Sequence, residues 1–168
     1  MIREMKKLFL IRHAKSNWND HTLSDIERPL NHRGERNAPT MAQRAACKWS
    51  KPDLILCSPA LRARQTAEKF SEYWWNDTET KICNELYEGS ASVILDLFSG
   101  SSDKIKSLVA VFHNPVITNL TNLLASTNLS NIPTCGITYL QLNKPNWGNL
   151  EVGSCSLEEF DFPKKDSN

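Results

Sequence analysis

The sequence predicts a layered α/β domain whose mostly parallel sheet carries helices on both faces. Three observations predict it. Short, unbroken apolar runs recur along the chain, stretches of helical periodicity lie between them, and the two kinds alternate in order. Strands buried on both faces lose the in–out alternation of a one-sided sheet and read as continuous apolar runs.

The first run covers residues 7–11 and ends on Arg12 and His13 within LFLIRHAKS. Ala38, Met41, Ala42, Ala45 and Trp49 then recur at helical spacing. Proline inside a helix removes a hydrogen bond and clashes with the preceding turn, so the spacing predicts Asn37 as N-cap with Pro39 in the first turn. Residues 54–57 form the second strand, followed by a helical stripe of Ala63, Ala67, Phe70 and Trp74. A short helix is expected over residues 91–98 and a third strand over 108–112. Ile117, Leu120, Leu123 and Leu124 mark the next helix. Residues 137–142 read as a fourth strand and 149–155 as an edge strand. No repeat, low-complexity block or linker divides the chain. Residues 1–168 are expected to form one domain, with a core over about 7–155 and a frayed tail, DFPKKDSN.

At 168 residues the chain fits one domain, for which roughly 150 is the usual prior. Twenty Lys and Arg against nineteen Asp and Glu leave a net charge of +1. No global field draws the protein to nucleic acid or an anionic membrane, so any anion site must be local. Five scattered cysteines, odd in number and without a C-x-x-C, argue against a disulfide framework or zinc knuckle. They indicate reduced thiols and a cytoplasmic setting. The basic start is followed by an apolar run of residues 8–11, shorter than the roughly 7–15 residues of a signal core. The run LVAVF is too short to span a bilayer.

In open α/β sheets, ligands bind beyond the carboxyl ends of the strands. The first strand delivers Arg12 and His13 there. The second leads into SPALRARQTA, where Ser58 suits a helix cap, Pro59 the first position and Arg62 the opening turn. The third leads into HNPVITNL, which repeats the device with Asn114 and Pro115 and places His113 at the strand's last step. Helix N-termini and guanidinium forks together make a site for phosphate or carboxylate. Arginines nearby disfavour a protonated imidazole, so both histidines are expected to stay neutral. A neutral His13 has a lone pair that can attack phosphorus. Singly, each of these residues fits a structural role; all four at matched strand-to-helix junctions favour function. Cysteine chemistry does not fit: four residues separate Cys57 from Arg62 and six separate it from Arg64, and neither is the spacing of cysteine-dependent phosphatases. Cys57 completes a strand as a buried thiol.

These residues resemble the histidine phosphatase superfamily, with its phosphoglycerate mutase-like three-layer fold. LFLIRHAKS resembles the family's Arg-His-Gly nucleophile loop, RPLNHRGERNAPTMA its Arg-x-Leu-Thr-x-x-Gly segment, and CSPALRARQTAE its Ser-x-x-x-Arg-Ala-x-Gln-Thr-Ala helix start. FHNPVITNL is similar to the segment carrying the second histidine. The short chain, with ELYEGS, most resembles the SixA branch, associated with phosphohistidine in proteins. The resemblance implies His13 as phosphorylated nucleophile, Arg12, Arg62 and His113 as phosphate clamp with Asn114 beside them, and no metal or organic cofactor. Ala14 stands in place of the common glycine and implies an ordinary negative φ. Phe112 also replaces a glycine, and is expected to narrow the pocket. Asn31 replaces Thr or Ser and keeps the capping chemistry.

An alkoxide leaving group needs a proton donor. By resemblance Glu85 stands near the expected place; Glu88, Asp20 and Asp25 are further candidates. A phosphoramidate leaves as an easily protonated nitrogen and needs an acid less. The expected function is therefore hydrolysis of a phosphorylated protein or small phosphorylated metabolite through a phosphohistidine on His13, with SixA-like phosphohistidine phosphatase first. A general small-molecule phosphomonoesterase is the alternative among enzymes. A non-catalytic phosphate-binding module is the alternative outside them, against which His13 and both arginines speak.

Overall fold

The computed structural model describes residues 4–165. Its sheet has six strands: β1 (Lys6–Arg12), β2 (Leu54–Cys57), β3 (Thr80–Ile82), β4 (Ser107–Phe112), β5 (Ile137–Leu142) and β6 (Cys155–Asp161). Their order is β3-β2-β4-β1-β5-β6. The β3/β2, β2/β4 and β4/β1 pairs are parallel, and β5 runs antiparallel to both its neighbours. Only β5 therefore points against the rest, as a mostly parallel sheet requires.

Alternate residues of each strand enter opposite layers. Phe9, Ile11, Ile55, Val109 and Val111 pack under α1 (His32–Lys48) and α2 (Leu61–Phe70). Leu8, Leu10, Leu108 and Ala110 pack under α4 (Ala91–Ser99) and α5 (Val116–Ala125), with Leu86 from the one-turn α3 (Glu85–Glu88). Helices thus cover both faces. None among the described residues is long and apolar enough to cross a membrane.

Several boundaries differ from the sequence reading, each for a local reason. α1 begins at His32 because the Asn31 side chain accepts from the Gly34 N–H at 3.0 Å, and Pro39 lies inside the helix. An interior proline costs roughly 3 kcal/mol, and Ala38, Met41, Ala42 and Ala45, all buried on the sheet, offset it. The helical stripe ending at Trp74 continues α2 as a π turn over Ser71–Trp75, which buries Trp74 and Trp75. The edge strand is Cys155–Asp161, with residues 147–149 in a 3-10 turn, so the sheet extends beyond the expected core. Asp161 is buried and accepts hydrogen bonds from Arg44 and Lys48, and Lys165 donates to the Phe160 carbonyl. The tail is held through Lys165, and its last three residues lie outside the described ones. β3 was missed because three residues carry too little pattern.

Candidate active site

β4 lies between β2 and β1, so the carboxyl ends of these three strands meet at one edge. His13, Ser58 and His113 are the next residues along the chain, and all three are buried. A cavity of about 470 Å³ opens there, lined by Arg12, His13, Arg28, Arg62, His113 and Asn114, with Lys15, Ser16, Trp18, Asp25, Tyr87 and Thr134. The structure therefore brings together the two guanidiniums and two imidazoles that the sequence singled out. The ring centroids of His13 and His113 are 5.1 Å apart.

His13 is held in one tautomer. Its Nδ1 lies 2.7 Å from the Ala14 carbonyl oxygen, which only accepts, so Nδ1 carries the proton and Nε2 the lone pair. The Ala14 N–H in turn donates to the Thr66 hydroxyl at 2.9 Å, and that hydroxyl donates to the Arg62 carbonyl. Gln65 accepts the Leu30 N–H at 2.8 Å. The Arg-Ala-x-Gln-Thr stretch thus has a physical reading: one face of α2 supplies a clamp, then grips for two loops. Ala14 has no positive φ, as expected of a residue in place of glycine.

The Arg28-to-Gly34 stretch also resolves into parts. Arg28 enters the cavity, Leu30 is buried, Asn31 caps α1, and Gly34 lets the helix touch the loop after His13. A Cβ at position 34 would lie 2.3 Å from the Lys15 carbonyl oxygen, which only glycine avoids.

The clamp is braced by Asp25. Arg62 donates to the Asp25 carbonyl at 2.6 Å and to its Oδ2 at 2.9 Å; Arg28 donates to Oδ1 at 2.5 Å; the Tyr87 hydroxyl donates to Oδ2 at 2.9 Å. Arg12 donates to the Ile132 carbonyl at 2.7 Å. Asn114 lines the cavity, but its amide nitrogen donates to Asn131 and Ile132 and its oxygen accepts from Thr118. It shares the acceptors Asn131 and Ile132 with Arg12. Ser58 is not a helix cap: α2 starts at Leu61, and the Ser58 hydroxyl meets His113 Nε2 at 2.7 Å. Likewise α5 starts at Val116, with Pro115 at its N-cap. Phe112 turns away into the core and does not narrow the cavity.

Four buried side-chain nitrogens among the described residues have no hydrogen-bond partner, and three of them are Arg12 Nε, Arg62 Nε and His113 Nδ1. Buried polar atoms are nearly always paired, so such a cluster marks a ligand's place. In the tautomer in which Ser58 donates to Nε2 of His113, Nδ1–H is the free donor. Three guanidiniums against one carboxylate leave the cavity electropositive, as a dianionic oxyanion requires.

Burial is the main force on both imidazoles. It lowers His13 to about 3, with His113, Arg62 and Arg12 pushing the same way against the Ala14 hydrogen bond. It lowers His113 to about 4, helped by Arg62 and opposed by Asp25. Both stay neutral, as expected, though desolvation rather than the arginines is the leading cause. Burial alone would raise the Asp25 carboxyl, but bonds from Arg28, Tyr87 and Arg62 outweigh it and hold it well below the usual carboxylate range. Asp25 is therefore ionised and cannot donate a proton.

Glu85 is exposed on α3 and does not line the cavity, nor do Glu88 and Asp20. The acid expected from the sequence is thus absent from the cavity wall; Tyr87, two residues on, faces it instead. Sequence reasoning missed Arg28 and Tyr87. The first stood in a matched motif, and the second two positions from a proposed acid. Cys57 is buried and its thiol is pushed up to about 12 by burial, which fits a structural residue.

The profile of the histidine phosphatase superfamily (branch 1) matches residues 8–94, slightly more than half the chain. The chain belongs to that superfamily. An uncharacterized protein of Mycobacterium tuberculosis is 29% identical over 164 residues, covering 92% of this chain and 100% of its own. Among solved structures, an Agrobacterium tumefaciens protein described as the phosphohistidine phosphatase SixA shares 27% identity at a TM-score of 0.82, covering 94% of this chain and 98% of its own. The protein histidine phosphatase SixA complexed with tungstate shares the fold at a TM-score of 0.80 and 21% identity, over 94% of this chain and 97% of its own. The α/β fold and SixA-type architecture expected from the sequence of this histidine phosphatase hold.

The neutral histidines have a thermodynamic consequence. Folded, both bind their proton less readily than an ordinary imidazole at 6.5. Between about pH 6.5 and 3 the unfolded chain holds more protons on these two residues, so their stability contribution is fully present above that window and is lost as pH drops through it. We predict that NMR titration finds both ring Cε1–H signals of the neutral form at pH 5 and a melting temperature that declines from pH 7 to 5. A His13 signal titrating near 6.5 would contradict the buried geometry.

Proposed function

We propose that this histidine phosphatase removes the phosphoryl group from phosphohistidine in proteins, carrying it transiently on His13 Nε2. The observation that supports this reading most is the fixed tautomer of His13 beside three unpartnered buried nitrogens. The Nε2 lone pair forms a bond to phosphorus while the substrate's P–N bond breaks. A substrate imidazole protonated at its other nitrogen keeps the released electron pair and leaves neutral, with no donor needed from the enzyme. Arg12, Arg62 and His113 meet the equatorial oxygens, where charge spreads during transfer. The phosphorylated ring keeps its Nδ1–H on Ala14, so it too is a good leaving group. Water then attacks phosphorus, sheds a proton to solvent, and the electron pair returns to Nε2.

Substrate preference follows from the acid. The carboxylate lining the cavity, Asp25, is fixed in its ionised form, and Glu85 stands outside. General acids contribute about a hundredfold or more to reactions that need them. We predict that kcat/KM for a phosphohistidine peptide exceeds that for phosphoserine or sugar phosphates by about a hundredfold or more. A steady-state panel at pH 7 checks this, and equal turnover of alkyl esters would transfer the assignment to a general phosphomonoesterase.

A further inference from the structure

Trp18 has no role in the mechanism above, yet it stands at the cavity mouth with 62% of its surface exposed. Trp74, Trp75 and Trp147 are buried, and Trp49 packs against the core. A single exposed apolar side chain is ordinary; what sets this one apart is its place at the cavity and the way it is held. The ring is not loose. The Arg28 guanidinium lies 3.5 Å from its centroid, and Arg28 is itself tied to Asp25 and Ser16. Such a cation–π pair orients the indole and covers one of its faces, while most of the side chain stays exposed.

A second cavity of about 330 Å³ adjoins the first and shares Lys15, Ser16 and Trp18 with it. Asn17, Asn19 and His32 supply hydrogen-bonding groups along its wall. Trp18, with Lys15 and Ser16, thus stands where the electropositive cavity meets a polar recess. A group that leaves phosphorus toward that recess would meet Trp18, which lines both cavities. A flat aromatic ring matches this surface, and a hydroxyalkyl chain does not.

We propose that Trp18 is a specificity-determining platform on which the leaving imidazole of a phosphohistidyl polypeptide stacks, the adjoining cavity taking the residues that flank it; this rests on the phosphohistidine reading above. The test compares full-length wild type, Trp18→Ala, Trp18→Phe and Trp18→Leu on two P–N substrates, a phosphohistidine peptide and phosphoramidate. Phosphoramidate releases ammonia and has no ring to stack. In Trp18→Ala the ratio of kcat/KM for peptide over phosphoramidate falls about three- to tenfold, chiefly through KM, as loss of one aromatic pair predicts. Trp18→Phe restores most of the ratio and Trp18→Leu does not. If both substrates slow alike, Trp18 acts only by holding Arg28 and the platform is refuted. Restoration by leucine refutes stacking. Wild type run alongside separates the two ideas: no turnover of the phosphohistidine peptide removes the phosphohistidine reading and the platform with it, whereas turnover with an unchanged ratio in Trp18→Ala removes the platform alone.

Discussion

Replacing His13 by alanine is expected to lower phosphoramidate hydrolysis by about a thousandfold or more while leaving inorganic phosphate binding within about threefold. The two parts of the expectation come from different atoms. Chemistry requires the Nε2 lone pair, which the Nδ1–H bond to Ala14 reserves. Binding requires the guanidiniums and His113, which Asp25, Ile132 and Ser58 hold independently of His13. Steady-state kinetics with phosphoramidate and calorimetry with inorganic phosphate read the two effects apart. Rapid quenching of wild type should also trap acid-labile phosphate on His13. Chelators and thiol alkylation should leave turnover intact, since Cys57 is buried and its thiol holds its proton. A His13→Ala protein with half the wild-type rate would exclude the covalent mechanism.

Arg62→Ala is expected to lower kcat/KM by about a hundred- to a thousandfold, the range seen when one preorganised donor to a developing oxyanion is removed. Arg62 does two things at once. Both its terminal nitrogens bond to Asp25, and its Nε is a buried donor with no partner. Losing it removes a clamp and loosens the loop that carries Asp25 and Arg28. Arg62→Lys should restore little, because an ammonium can brace Asp25 or meet phosphate but lacks the fork that does both. Phosphate affinity should fall in parallel, unlike in His13→Ala. A lysine variant within threefold of wild type would show that charge alone, not geometry, is what Arg62 supplies.

The parts of the site legible in the sequence were those whose local context is diagnostic. Arg12 and His13 end an apolar strand, and Arg62 opens a helix after another. Glu85 misled because its position along the chain resembled that of an acid, whereas α3 is a single turn whose Leu86 faces the core. Burying Leu86 sends Glu85 to solvent and brings Tyr87 to the cavity, a choice made by which face the core takes. Asn37 misled for a similar reason. Capping rules favoured a helix that avoids Pro39, and the Asn31 cap together with burial against the sheet overruled them.

Sequence alone determined the alternation of strands and helices, the buried Cys57 and the placing of Arg12, His13, Arg62 and His113 at strand ends, because apolar periodicity and strand-end chemistry are local. Only the tertiary structure decided which nitrogen of His13 is free, that Asp25 braces two arginines instead of donating a proton, and that Trp18 borders two cavities. Those facts depend on hydrogen bonds and burial between residues far apart in the chain, and no local pattern encodes a distance.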